Sequence, residues 1–133
     1  MKFLNLFKEN ITHLIIILVI FFFDRFSKIK ILQILENSDI IFINDYLNLD
    51  LIFNTGIGFG LLSMEANIFY DLISVFIALV IIFLIYYAIK SKNIEKYFFS
   101  LVIGGAIGNL FDRVYYKAVP DFIDLHFKDF HWF

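Results

Sequence analysis

A few polar residues interrupt an otherwise apolar chain, and their types could do chemistry. Asp24 and Lys28 stand four apart, on one helix face, in the order that favours an ion pair. Asn109, Asp112 and Arg113 follow an i, i+3, i+4 pattern, so the amide can face both charged residues along one side of a helix. Asp121 follows Pro120, which fixes its own φ, lacks an N–H and biases Val119 towards extended backbone. Its carboxylate is therefore held out on a stiff, extended piece of chain. Asp124 comes three residues later.

Carboxylates of this kind can handle protons, and ionisable residues within membrane spans usually face a bundle interior or a polar cavity. Each group also has a structural reading. Asp24 and Lys28 can form an ion pair that offsets its own cost in lipid. Asp112 and Arg113 can cap a helix at the interface, with Arg113 reaching to head groups. Asp121 and Asp124 can simply be solvated. Gly104 and Gly108 form a GxxxG step, with Gly105 widening the smooth face, which points to close helix packing. The chain has no cysteine, which excludes disulfides, a thiol nucleophile and thiolate metal sites. His13, His126 and His131 are scattered and make no zinc pattern such as HExxH, so no metal is expected. Gly56-Ile57-Gly58-Phe59-Gly60 lacks both the P-loop lysine and the dinucleotide-binding spacing.

The elements that must position these residues follow from composition. The chain of 133 residues is 61% hydrophobic and 20% aromatic, with a mean hydropathy of +0.82. That exceeds the usual apolar share of about 45–50%, so lipid is the expected solvent of a single integral-membrane domain spanning 1–133. Spans need roughly 20 mostly apolar residues. Residues 68–89 supply one, broken only by Asp71 near its start. Residues 11–31 supply another, with Asp24 and Lys28 inside it. A third is placed at 94–113, which sets Asp112 and Arg113 at one membrane surface.

Lys2 and Lys8 precede the first span, and Lys90, Lys92 and Lys96 fill the link between the other two. Residues 33–67 hold no Lys or Arg but carry Glu36, Asp39, Asp45, Asp50 and Glu65. The positive-inside rule then places the N-terminus in the cytoplasm and both 33–67 and 114–133 outside. No small-residue cleavage site follows the first apolar run, so it is read as a retained span rather than a signal peptide. Within 33–67 the alternation Asn44-Asp45-Tyr46-Leu47-Asn48-Leu49-Asp50-Leu51 predicts strands, ended by a turn at Asn54-Thr55-Gly56, Gly58 and Gly60. The fold class is thus mainly α, with three transmembrane helices and a small extracytoplasmic β-layer.

These pieces together resemble the lipoprotein signal peptidases, or signal peptidase II, from about Asp24 onwards. Asp24-Arg25-Phe26-Ser27-Lys28 is similar to the family's Asp-x-x-x-Lys, with Arg25 where Gln is frequent. Asn54-Thr55-Gly56-Ile57-Gly58-Phe59 is similar to its Asn-x-Gly-x-(small)-Phe. The run from Gly104 to Arg113 is similar to its glycine-rich Asn-x-x-Asp-Arg block, and Val119-Pro120-Asp121-Phe122 to its Val-x-Asp-Phe. The resemblance implies four transmembrane helices with both termini in the cytoplasm and a small extracytoplasmic β-cradle. It implies an aspartyl protease of the bacterial cytoplasmic membrane, with no cofactor and no nucleic-acid partner. The enzyme would act as a monomer among membrane lipids on prolipoproteins, cleaving just before a lipid-modified cysteine. Asp121 would be one catalytic aspartate. Asp24, Lys28, Asn54, Gly56, Asn109, Asp112 and Arg113 would form and support the site.

The resemblance also implies a second catalytic aspartate, in a Phe-Asn-x-Ala-Asp motif a little under twenty residues after Asp121. The sequence stops at Phe133, before such a motif, and neither Asp124 nor Asp129 sits in one. A fragment of an enzyme is expected from this, with an inactive or structural small membrane protein as the alternative. Two other classes compete on the residues alone. A membrane scaffold would use the polar residues only to pack helices. A transporter component would need more polar residues along 68–89 than Asp71, Ser74 and the tyrosines.

Overall fold

The computed structural model describes residues 2–35, 40–56 and 68–132. Three long helices, α1 (Lys2–Leu35), α2 (Ile68–Lys90) and α3 (Asn93–Tyr116), stand beside one four-stranded sheet. Its strands are β1 (Ile40–Asn44), β2 (Leu47–Asn54), β3 (Val119–Phe127) and β4 (Phe130–Trp132), ordered β1-β2-β3-β4 and antiparallel throughout.

Each expected apolar run lies inside a helix, but α1 and α3 extend past theirs. No Gly or Pro interrupts residues 2–35, so α1 continues over 34 residues, about 51 Å at 1.5 Å per residue. α3 runs past Arg113 to Tyr116 and stops where Lys117 turns left-handed (φ 57), just before Ala118-Val119-Pro120. Among the described residues, one helix, Tyr70–Lys90, is long and apolar enough to cross a membrane by length and composition alone. α1 and α3 carry charges within their apolar stretches.

The polarity of the helices is inverted relative to a water-soluble domain. On α1, Phe22, Phe23 and Phe26 are more than 60% exposed, while Arg25 and Lys28 are buried. α3 packs against both α1 and α2. Its glycines show how close the first contact is. A Cβ on Gly104 would come within 2.8 Å of Ile20 Cβ and 3.0 Å of the Ile17 carbonyl oxygen. A Cβ on Gly108 would run into the Asp24 carboxylate. Gly105 departs from the expected smooth face: a Cβ there meets nothing within 4 Å, because it points away from the α1 contact.

The sheet follows from two hairpins and one long-range pairing. Asp45 and Tyr46 turn β1 into β2, with Asn44 Oδ1 accepting the Tyr46 N–H at 2.9 Å as an Asx-turn does. Lys128 and Asp129 turn β3 into β4, with Lys128 at φ 55. β2 pairs with β3 from Leu47↔Leu125 to Asn54↔Val119, with an irregularity between Leu49 and Ile52. The alternation in 44–51 foretold β2. Strands β3 and β4 went unassigned in the sequence reading, although Ile123-Asp124-Leu125-His126-Phe127 alternates as well. Pro120 fits because it sits next to the start of its strand, where a missing N–H disturbs the ladder least.

Candidate active site

Two layers meet at the site: the α1–α3 contact below and the β2–β3 pairing above. At the first, the alternation of apolar and charged residues along α1 turns Asp24, Arg25 and Lys28 towards α3. Lys28 Nζ lies 2.9 Å from Asp24 Oδ1 and 2.6 Å from Asp112 Oδ2, and donates to Asn109 Oδ1 at 2.9 Å. Lys28 thus donates hydrogen bonds to the Asp112 carboxylate and the Asn109 amide, and meets Asp24 as an ion pair by distance. Arg25 Nη2 lies 3.1 Å from Asp24 Oδ2 and 2.5 Å from Asp112 Oδ1. The second contact is an ion pair by distance without hydrogen-bond alignment. Arg25 also lies over the Phe111 ring, 5.0 Å from its centroid, a cation–π position.

Asp24, Asp112, Arg25 and Lys28 therefore form a closed set of two negative and two positive groups. Asp112 is fully buried, and Lys28 and Arg25 are 5% and 8% exposed. Burial on this scale demands such pairing, since an unpaired buried charge is very costly. Both Asp112 and Arg113 are buried within the protein. Arg113 does not reach outwards to head groups. Its Nη2 donates to the Gly56 carbonyl at 3.0 Å and its Nη1 to the Asn109 carbonyl at 3.3 Å. Asn109 accordingly meets Lys28 with its side chain and Arg113 only with its backbone.

The upper layer holds Asp121. Asn54 closes β2, and its Nδ2 donates to Asp121 Oδ2 at 2.9 Å while its Oδ1 accepts the Gly56 N–H at 2.8 Å. One amide thus fixes the carboxylate and the turn together, and Arg113 anchors the same turn to α3. Ile57 to Gly60, the rest of the expected glycine turn, lie outside the described residues. Asp121 faces Asp24, Lys28 and Asn109 across a cavity of about 290 Å³, walled above by Pro120 and Phe122. A second cavity, between His13, Leu14, Ser100 and Ile103, is almost wholly apolar and contains no carboxylate.

The residues singled out in the sequence thus converge: Asp24, Lys28, Asn109 and Asp121 line one cavity, while Asn54, Gly56, Asp112 and Arg113 hold its walls. Arg25 was missed as a member of the network. The available signal was charge balance, since Asp24, Lys28 and Asp112 leave one negative charge without a counter-charge in an apolar setting. Asp121 and Asp24 differ in how they are held. Asp24 bridges two cations, whereas Asp121 takes a neutral amide donor and, among the described residues, no ion pair.

Comparison with known proteins bears on this geometry. The model of the family described as "Signal peptidase (SPase) II" matches residues 16–133. A lipoprotein signal peptidase of Pelagibacter ubique (strain HTCC1062) is 51% identical over 128 residues, covering 95% of this chain and 77% of that protein. One from Francisella tularensis subsp. novicida (strain U112) is 32% identical over 133 residues, covering 97% of this chain and 83% of that protein. A bacterial membrane enzyme solved by the in meso method at 2.3 Å resolution superposes with a TM-score of 0.70 at 30% identity, covering 92% of this chain and 76% of that one.

Proposed function

As the chain belongs to the signal peptidase II family, we propose that Asp121 is one carboxylate of its catalytic pair and that the cavity beneath it receives the scissile peptide. The protein is a bacterial membrane aspartic peptidase that removes signal peptides from prolipoproteins. In the family the other carboxylate belongs to a Phe-Asn-x-Ala-Asp motif, which residues 1–133 do not include. One carboxylate takes a proton from water as it attacks the peptide carbonyl. The other gives a proton to the carbonyl oxygen, and the tetrahedral intermediate then collapses with loss of the amine.

The observation that carries the assignment is the contrast between the cavity's two aspartates. Protonating Asp24 would break contacts to both Lys28 and Arg25. Among the described residues Asp121 has no ion pair to lose, so its carboxylate is the one left to act on water and substrate. Asp24, Lys28, Arg25, Asn109 and Asp112 then form the floor, and Asn54, Gly56 and Arg113 fix the height of Asp121 above it.

The same reading sets the protein in its membrane. α1, α2 and α3 cross the cytoplasmic membrane at about 11–31, 68–89 and 94–113, within one integral-membrane domain. The exposed Val19, Phe22, Leu79, Phe83, Phe98 and Val102 support this, being apolar surface suited to lipid. The lysines before α1 and between α2 and α3 support a cytoplasmic N-terminus, with the sheet and the cavity on the outer face. The enzyme works as a monomer, taking the signal helix from the bilayer while the substrate's lipid stays in the outer leaflet.

Asp121→Asn, in a chain that also carries the second aspartate, tests the assignment. It keeps the size of the side chain, so thermal unfolding stays as in the unsubstituted enzyme, while prolipoprotein cleavage falls about 10²–10⁴-fold. Cleavage at the unsubstituted rate with normal protein levels would sink it.

A further inference from the structure

We propose that Asp124, His126 and His131 form a binding site for one divalent transition cation of the zinc class, separate from the cavity that holds Asp121. The three residues looked unrelated in sequence. The sheet brings them together, because Asp124 and His126 share one face of β3 and His126 pairs directly with His131 on β4. His131 Nδ1 lies 2.8 and 3.0 Å from the two Asp124 oxygens, and His126 Nδ1 lies 3.3 Å from Oδ2. One ligand atom from each residue falls within 4.8 Å of the others. A tetrahedral zinc ion with ligands at about 2.0–2.2 Å sets those ligands roughly 3.3 Å apart. The carboxylate–imidazole distances already approach that, and the imidazole nitrogens, within 4.8 Å of each other, would draw together.

The chemistry of the cluster favours a cation over a plain ion pair. Asp124 is 2% exposed, yet two stacked imidazoles 5.2 Å apart crowd it. His126 Nδ1 is buried without an aligned hydrogen bond, and so is Asn48 Oδ1 on the neighbouring strand. Protonating both rings would set two like charges against each other. A cation between them uses the lone pairs of neutral rings and the carboxylate at once. Asn48 Nδ2 donates to Asp124 Oδ2 at 3.3 Å, the kind of outer partner that orients a metal-binding carboxylate. The His131 side chain is 44% exposed, which leaves an entry path and room for water as a fourth ligand. A bound cation would tie β4 to β3, three residues beyond Asp121.

The test is a cobalt titration of the full chain, purified in detergent and stripped of metal. Visible absorption bands of tetrahedral Co²⁺ should saturate at one equivalent and be displaced by Zn²⁺. Asn48→Ala should weaken binding about 10–100-fold, and His131→Ala, at an exposed position, should weaken it further with the helical circular dichroism unchanged. No saturating tetrahedral signal in the unsubstituted chain, or equal affinity in His131→Ala, would overturn the proposal.

Discussion

Asp112→Asn is the most informative single change to the charge network. The substitution keeps the side-chain shape but leaves Arg25 and Lys28 facing Asp24 alone, a net charge of one in a buried setting. At 2.6 Å the Lys28–Asp112 attraction is about 6 kcal/mol at an effective dielectric of about 20. Desolvation of both groups offsets much of this, so the pair itself adds little net stability, while breaking it costs about 3–5 kcal/mol. Lys28→Met alone unbalances the set in the other direction. Combining the two restores neutrality, with Arg25 facing Asp24. The double variant should therefore be less destabilised than the sum of the singles, by about 1–3 kcal/mol. Unfolding of the detergent-solubilised protein by sodium dodecyl sulfate, followed by helical circular dichroism, measures all four states. Additivity within about 0.5 kcal/mol would show that the buried charges do not act as one unit.

The glycines of α3 and one turn residue give further tests by the same unfolding measurement. Gly104→Ala should destabilise by about 1–3 kcal/mol through overpacking, because the Ile17 carbonyl in its way is backbone and cannot turn aside. Gly108→Ala should cost a similar amount and also lower cleavage activity, since it displaces Asp24 from Lys28. Gly105→Ala meets open space and should stabilise by about 0.5–1 kcal/mol through helix propensity; a cost as large as that at Gly104 would refute this view of the helix contact. Lys128→Gly should stabilise the β3–β4 turn by about 1 kcal/mol, because the left-handed backbone there strains any residue with a Cβ. Loss of stability in that variant would count against the turn geometry.

The helices and most of the site were legible in the sequence because their signals are local. Asp24 with Lys28, and Asn109 with Asp112, each share a helix face by spacing alone, and the apolar runs give the helices without knowledge of their neighbours. What spacing could not give was direction. Asp112 and Arg113 are adjacent, so they point about 100° apart around α3. One meets α1 and the other the turn at Gly56, a division that depends on where those elements pack. Local spacing gives no sign that both are enclosed by protein, which follows only from their place between α1 and the Gly56 turn.

The sheet shows the same limit more sharply. β2 carries a clear alternation and was read correctly, yet its partner β3 begins 65 residues after β2 ends, beyond the reach of any local pattern. That pairing sets where Asn54 and Asp121 meet, because the register Asn54↔Val119 brings the amide within reach of the carboxylate. The histidines follow the same logic. Their spacing matches no metal motif, but a two-residue turn at Lys128 and Asp129 folds His131 back onto His126. A motif search along the chain detects ligands that one helix or loop presents together. It passes over ligands presented by the face of a sheet, where the shared position is set by register and not by separation in sequence.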